Sequence, residues 1–298
     1  MFLSQRATLF LSCMMVYPTP GTAFSSMPQF SRRRVSKPIL AANVGTSASA
    51  RSEGLALALD DGTRKSHSMA ENTAFVAGFF RGMSSKNSFA KLTASLYFIY
   101  EAMEAAFEDK ESCKAVKQMD FASLRRKEAL EADLEYYYGS SWRSTLRPSP
   151  ATERYVDRIN ELRDSGSYLL VAHQYTRYLG DLFGGQMMAG MATRSLGLEE
   201  GKGISFYDFP DIKDTKEFIE TWYTEANQLD FSDQERAALV DEANRVFSLN
   251  IGVFDELEGS AAGAVWKFTM AAFMERLMEA NPVLRAALKR QAIIGVSH

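Results

Sequence analysis

Leu169-Leu170-Val171-Ala172-His173-Gln174-Tyr175-Thr176-Arg177-Tyr178-Leu179-Gly180-Asp181-Leu182-Phe183-Gly184-Gly185-Gln186-Met187-Met188-Ala189-Gly190 is the stretch whose reading decides the fold. Its apolar period is helical, yet four glycines fall within residues 180–190. Each interior glycine costs a helix about 1 kcal/mol relative to alanine. Gly180 and Gly184 are four apart and share a face. A face without Cβ atoms lets a flat molecule lie on the backbone, or lets another helix come close, and geometry alone leaves both readings open. Glycines also loosen the hydrogen-bond ladder and permit a kink. Asp181 borders that face, where a carboxylate can hold water over a ligand or simply be a solvated acid. His173, in an apolar run, reads first as a hydrogen-bonded core histidine.

Outward from this stretch the period stays helical from about residue 53. Phe89, Leu92, Leu96, Tyr100, Met103 and Phe107 recur every three or four residues as one face. Ser149-Pro150 is an N-cap followed by Pro at the first helical position, with Tyr155, Ile159 and Leu162 continuing a stripe. Ser232-Asp233-Gln234-Glu235 is a capping box opening a long helix through Leu239, Ala243, Val246 and Phe254. Gly139 closes one helix and Asn281-Pro282 another. Alternating β-branched runs are scarce, so the expectation is an all-α domain of about eight helices. It spans residues 53–260, with a C-terminal helix and tail over 261–298. That tail is Met- and Phe-rich, but Lys267, Glu275 and Arg276 interrupt it, and no window reaches the ~20 apolar residues of a membrane span.

The first fifty residues carry five basic residues and no acid. An apolar centre at 9–17 is short enough for a signal peptide and too short to span a membrane, and Gly21-Thr22-Ala23 offers a cleavage point. An Arg/Ser-rich, acid-free segment follows. A signal peptide over 1–23 and a transit-like leader over 24–52 fit delivery to the stroma of a plastid, against the plainer alternative of a secretory signal with a loose tail. Removal of the leader takes Cys13 and leaves Cys113 alone, which suits a reducing compartment. The remaining chain has 29 basic against 37 acidic residues, net −8, which excludes nucleic acid as a partner on bulk charge.

Chemistry has few places to sit, because the chain has three histidines. His298 is terminal. His67 lies in Arg64-Lys65-Ser66-His67-Ser68-Met69-Ala70-Glu71, early in the first helix, with Glu71 one turn on. A di-iron bundle needs Glu three residues before each histidine, but those positions hold Arg64 and Leu170, so this reading fails. Zinc fails for want of Cys or paired His ligands, and no phosphate loop or nucleophile elbow is present.

Taken together, Arg64–Asn72, Ala94-Ser95-Leu96-Tyr97-Phe98-Ile99-Tyr100, Pro148–Thr152 and above all Leu169–Gln186 resemble the heme oxygenase family, closest to its cyanobacterial and algal plastid type. The similarity runs from about Gly54 to Gly259. It implies one helical domain with a heme slot between a proximal and a kinked distal helix. The family's roles then fall on His67 as the imidazole that binds heme iron and on Glu71 as the acid that orients it. Gly180 and Gly184 match the bare distal backbone over the heme, and Asp181 the acid that organises water and delivers protons. Tyr175 and Arg177 match pocket and network residues. The implied reaction opens heme b with O₂ and electrons to biliverdin IXα, Fe²⁺ and CO. The expected partners are O₂ and ferredoxin or another electron donor, with no membrane span, and the expected state is a monomer.

Four positions depart from the family. Where it places a basic residue seven before the proximal histidine stands Asp60. Where it places Lys and Arg on a late helix against the heme propionates stand Ile219 and Tyr223. Phe183 replaces a common Ser between the distal glycines, where its ring either tightens the distal side or points into the core. Charge-assisted hydrogen bonds contribute roughly 1.5–3 kcal/mol each, so the absent cations bear on heme affinity. Arg64 remains, with Lys65 or Lys216 as substitutes. Two readings follow: a heme oxygenase with a re-anchored heme, or a non-catalytic relative that binds a tetrapyrrole or serves as a scaffold.

Overall fold

The computed structural model describes residues 49–80, 82 and 84–257. The signal peptide, most of the transit-like segment and the tail expected over 261–298 therefore lie outside the described residues. Among the described residues there is no strand. The helices are α1 (Gly54–Glu71), α2 (Ala74–Phe80), α3 (Lys86–Phe107), α4 (Lys114–Gln118), α5 (Lys127–Tyr138), α6 (Trp142–Thr145), α7 (Pro150–Asp164), α8 (Leu170–Gln174), α9 (Gly180–Leu196), α10 (Thr215–Asn227) and α11 (Asp233–Leu257). Seven of these are long; the excess over the expected eight comes from short segments such as α2 and α6, too brief to show a period in sequence.

The boundaries follow local chemistry. Ser149 Oγ accepts from the Thr152 N–H at 3.3 Å and starts α7. Ser232 and Glu235 form the reciprocal capping box of α11, the Ser232 N–H donating to Glu235 Oε2 at 2.8 Å. Gly139, at φ 75°, ends α5 in a conformation that costs any other residue strain. All six residues of the expected α3 stripe are buried.

Helix α11 is the spine: α1 lies along it, and α7 and α8 pack against it. Close approach of α1 requires Gly62, since a Cβ there would overlap Val240 Cγ1. The folded unit also begins earlier than the boundary expected at 53. Residues Ala50–Ser52 form a 3-10 turn packed on α1 and α10, and the Asn227 Nδ2–H donates to the Ala50 carbonyl at 2.7 Å. The Arg/Ser composition hid this, because three residues carry no periodicity. His67 likewise sits in the last two turns of α1 rather than early in it.

His173 is a core residue, as its apolar surroundings suggest. It is fully buried, and its Nε2 pairs with Glu242 Oε1 at 3.0 Å, while Arg158 grips the same carboxylate at 2.9 and 2.7 Å. Burial pushes the Glu242 carboxyl up, but the hydrogen bonds from His173 and Arg158 win and hold it at about 2. Burial keeps His173 below its usual value, so it is neutral at pH 7.

Two expectations follow. Gly62→Ala overpacks the α1–α11 contact and costs about 1–3 kcal/mol in urea denaturation, offset only partly by helix propensity. Val240 is stiff at χ1 and cannot easily turn away, so a second change, Val240→Ala, restores the loss. Glu242→Gln strands two buried partners and costs about 3–5 kcal/mol at pH 7. Because the folded carboxyl titrates at about 2 against an ordinary 4.5, this contribution is complete above pH 4.5 and is lost as the pH falls towards 2. A wild-type advantage that shrinks already between pH 7 and 5 would contradict the pairing.

Candidate functional site

On α1, His67 and Glu71 are one turn apart, and the imidazole Nδ1 lies 3.5 Å from Glu71 Oε1, an ion-pair distance rather than a hydrogen bond. Burial raises the Glu71 carboxyl, and the neighbouring His67 opposes that. The imidazole stands edge-on to Phe247 of α11, ring centres 5.6 Å apart, and remains about 30% exposed. Its Nε2 finds no partner among the described residues.

The glycine stretch is helical throughout, but not evenly. Between α8 and α9, residues Tyr175–Leu179 form a π-turn, one residue wider per turn than the α-helix on either side. The irregularity thus lies just before the glycines, in a bulge that periodicity could not reveal, rather than at the glycines themselves. The two readings of the bare face are divided among them. Gly185 packs against Tyr207, where a Cβ would meet the ring at 3.0 Å. Gly180 is exposed, and a Cβ there would meet nothing within 4 Å. Gly184 is buried. The Phe183 ring is half-buried and packs against the hydrophobic core.

Beside Gly180, Asp181 anchors a buried polar cluster. The Arg177 Nη2 donates to both its oxygens, at 3.0 and 2.8 Å, and the Tyr100 hydroxyl donates to Oδ2. Arg177 Nη1 donates to Asn250 Oδ1 at 3.0 Å, and Asn250 Nδ2 to the Val246 carbonyl at 3.0 Å. Burial raises the Asp181 carboxyl, while the charge of Arg177 pulls it down. Among the described residues, Arg177 Nε is buried with no hydrogen-bond partner. Tyr100 and Asn250 escaped the sequence reading, Tyr100 because it sits in an apolar stripe as a ring like its neighbours. Asn250 was detectable as a lone amide on the buried face that Val246 and Val253 share.

Residues 53–256 match the family model for heme oxygenase. The chain belongs to the heme oxygenase family. It is 43% identical over 214 residues to heme oxygenase 1 of Nostoc sp., covering 72% of this chain and 90% of that one. It is 45% identical over 207 residues to a heme oxygenase of the red alga Pyropia yezoensis, covering 70% and 87%. The crystal structure of heme oxygenase-1 from the cyanobacterium Synechocystis sp. in complex with heme superposes with a TM-score of 0.68 at 42% identity, over 74% of this chain and all of that one.

Within this heme oxygenase, three of the four departing positions, Asp60, Ile219 and Tyr223, lie on two helices that pack together, α1 and α10. Tyr223 and Ile219 of α10 are buried at 2% exposure. Asp60 pairs with Arg51 from the N-terminal turn and, at 3.3 Å, with Arg64. Arg64 itself is 70% exposed and tied to Asp61 at 2.7 Å, so it faces outward rather than into a pocket. Tyr175 is buried against Trp222, ring centres 5.8 Å apart. No helix among the described residues is long and apolar enough to cross a membrane, and no cluster of three His, Cys, Asp or Glu residues is placed to hold a bare metal ion.

Because Gly180 opens on empty space, Gly180→Ala should raise the apo chain's stability by up to about 1 kcal/mol through helix propensity alone. Gly185→Ala should be less stable than Gly180→Ala, because its Cβ presses on the buried Tyr207 ring and offsets the same helix-propensity gain. Thermal melts of both variants in the absence of any ligand check the pair; a destabilised Gly180→Ala would show that its face is packed.

Proposed function

We propose that this heme oxygenase binds heme iron through His67 and opens the macrocycle to biliverdin IXα, Fe²⁺ and CO in the plastid stroma, with electrons from ferredoxin or another donor. The observation that carries the reading is the open, Cβ-free position at Gly180 immediately before Asp181. The chain's residues fit the group: among the described residues, an imidazole nitrogen without a hydrogen-bond partner on one helix, bare backbone on another, and an orphaned nitrogen on Arg177 beside the acid. The cyanobacterial and algal relatives and the acid-free Arg/Ser leader support the plastid setting.

When bound, heme supplies the iron that takes up O₂ and the ring that is cut. The protein's part is binding, orientation and proton supply. Glu71 holds the Nδ1 side of His67, leaving Nε2 for the metal. Gly180 leaves a Cβ-free, open surface beside Asp181. Asp181 is a carboxyl held between burial, which favours its protonated form, and Arg177, which favours the anion. Such a group can take up and release a proton at Oδ2, where Tyr100 already donates. Asn250 fixes Arg177, and through it the carboxylate.

Titration of the full-length chain with hemin tests the assignment. His67→Ala should lose the absorption signature of iron bound to imidazole; an unchanged spectrum would remove His67 as the ligand. Asp181→Asn should bind hemin normally yet form biliverdin about a hundredfold more slowly or worse. Full turnover by Asp181→Asn would remove its role in proton supply.

A further inference from the structure

Asp133 is a buried acid outside the cluster of Arg177 and Asp181. It lies on α5 with 1% of its surface exposed. Its Oδ1 accepts from the Ser205 N–H at 2.8 Å and its Oδ2 from the Phe206 N–H at 2.9 Å. Burial raises this carboxyl, and the two N–H groups pull it down. An amide of the same shape has one carbonyl oxygen, so only a carboxylate accepts at both positions. The two donors open the 3-10 turn Ser205–Tyr207. The chain on either side of that turn is strapped to the same helix. The Tyr137 hydroxyl donates to the Gly203 carbonyl at 2.9 Å, and a Cβ on Gly203 would strike that hydroxyl at 2.7 Å. Arg126, the residue before α5, donates to the Asp208 carbonyl and stacks on Phe209, its guanidinium carbon 4.1 Å from the ring centre.

The turn carries two buried rings, Phe206 and Tyr207, packed on each other with centres 4.9 Å apart. Phe206 stands edge-on to Tyr100, centres 5.2 Å apart, and the Tyr100 hydroxyl donates to Asp181 Oδ2. Tyr207 lies against the backbone of α9 at Gly185, its ring 3.0 Å from where a Cβ would stand. Gly185 is one helical turn past Asp181. One carboxylate on α5 therefore holds a turn that bears on both ends of a single hydrogen bond. Through Phe206 it bears on the donor, and through Tyr207 on the helix that carries the acceptor. A fully buried phenol cannot swing its hydroxyl without displacing the ring packed on it, because a core of this density transmits small shifts.

Resting on the role given to Asp181 above, we propose that Asp133 is a positioning residue for proton supply, acting through Phe206 on Tyr100 and through Tyr207 on α9. It contacts neither Asp181 nor Tyr100; its two hydrogen bonds set the turn, and the turn sets the geometry of the Tyr100–Asp181 bond. Misplacement of a reacting group by about 1 Å from a distant change can slow a reaction about a hundredfold. Loss of one of the two turn bonds asks for a smaller shift than that, in a part of the protein that leaves His67 on α1 where it is.

The test reads the acid and the turnover separately, in the full-length chain. With isotope-labelled aspartate, the Asp181 carboxyl is the NMR resonance lost in Asp181→Asn, and its titration needs no heme. Asp133→Asn should move that titration upward by about half a pH unit, because a weakened bond from Tyr100 stabilises the anion less. The same variant should bind hemin within about twofold of the wild type yet form biliverdin about tenfold more slowly. Phe206→Leu, which leaves Asp133 and both its hydrogen bonds in place, should show the same two changes. The double variant should be no slower than the slower single one, since both act through one contact. Ser232→Ala, which removes the cap of α11 and so lowers stability elsewhere, should show neither change. The inference is overturned if Asp133→Asn or Phe206→Leu leaves the Asp181 titration in place, if the losses of the single variants multiply, or if Ser232→Ala reproduces them. Should Asp133→Asn fail to fold, Phe206→Leu decides by the same criteria. Full turnover by Asp181→Asn would overturn the proton-supply reading, whereas full turnover by Asp133→Asn beside a slow Asp181→Asn overturns this inference alone.

Discussion

A buried guanidinium organises this protein. Arg177 lies in the π-turn with 8% of its surface exposed, and a charge in that position must be neutralised where it stands. Asp181 does so from one turn along the same helix, and Asn250 reaches across from α11. Tyr100 of α3 donates to the carboxylate from a third direction. Four side chains on three elements therefore depend on one another, and the acid beside Gly180 has little freedom to move. The same burial that makes the cluster costly to assemble raises the Asp181 carboxyl, against the pull of Arg177.

Around that cluster, glycine does two different jobs. Gly62 brings α1 into contact with α11 by removing a Cβ that Val240 would strike, which sets the position of His67 five residues on. Gly185 does the same between α9 and Tyr207. Gly180 faces space, so its cost in helix propensity is repaid by no packing within the protein. That contrast separates glycines whose missing Cβ admits a neighbour in the fold from one whose Cβ would meet nothing.

A second buried charge cluster, Arg158–Glu242–His173, is independent of the first in purpose. It clamps α7 and α8 to the spine and consumes the only other histidine among the described residues besides His67. Its carboxylate is held far down the pH scale, whereas Asp181 is pushed up. Two acids in one core are thus separated by their partners: Glu242 accepts from a bidentate arginine and a neutral imidazole, while Asp181 is answered by one guanidinium and a phenol.

The sequence alone determined the helical class, the α3 and α11 stripes, the caps at Ser149 and Ser232, and the candidates His67, Glu71, Gly180 and Asp181, because each is encoded in spacing between neighbours along the chain. The resemblance to the family, rather than spacing, marked Asp60, Ile219 and Tyr223 as departures. The sequence could not decide which glycines faced protein and which faced space, since Gly180 and Gly185 differ only in what lies across from them. Nor could it find the π-turn, the partnership of Tyr100 and Asn250 with Asp181 and Arg177, or the return of Arg51 to Asp60 from a stretch that composition assigned to a leader. Those contacts join residues from 9 to 81 positions apart. Only the packing of α1, α3 and the π-turn about α11 brings them together, because burial and electrostatic pairing act through space and leave no period in the chain.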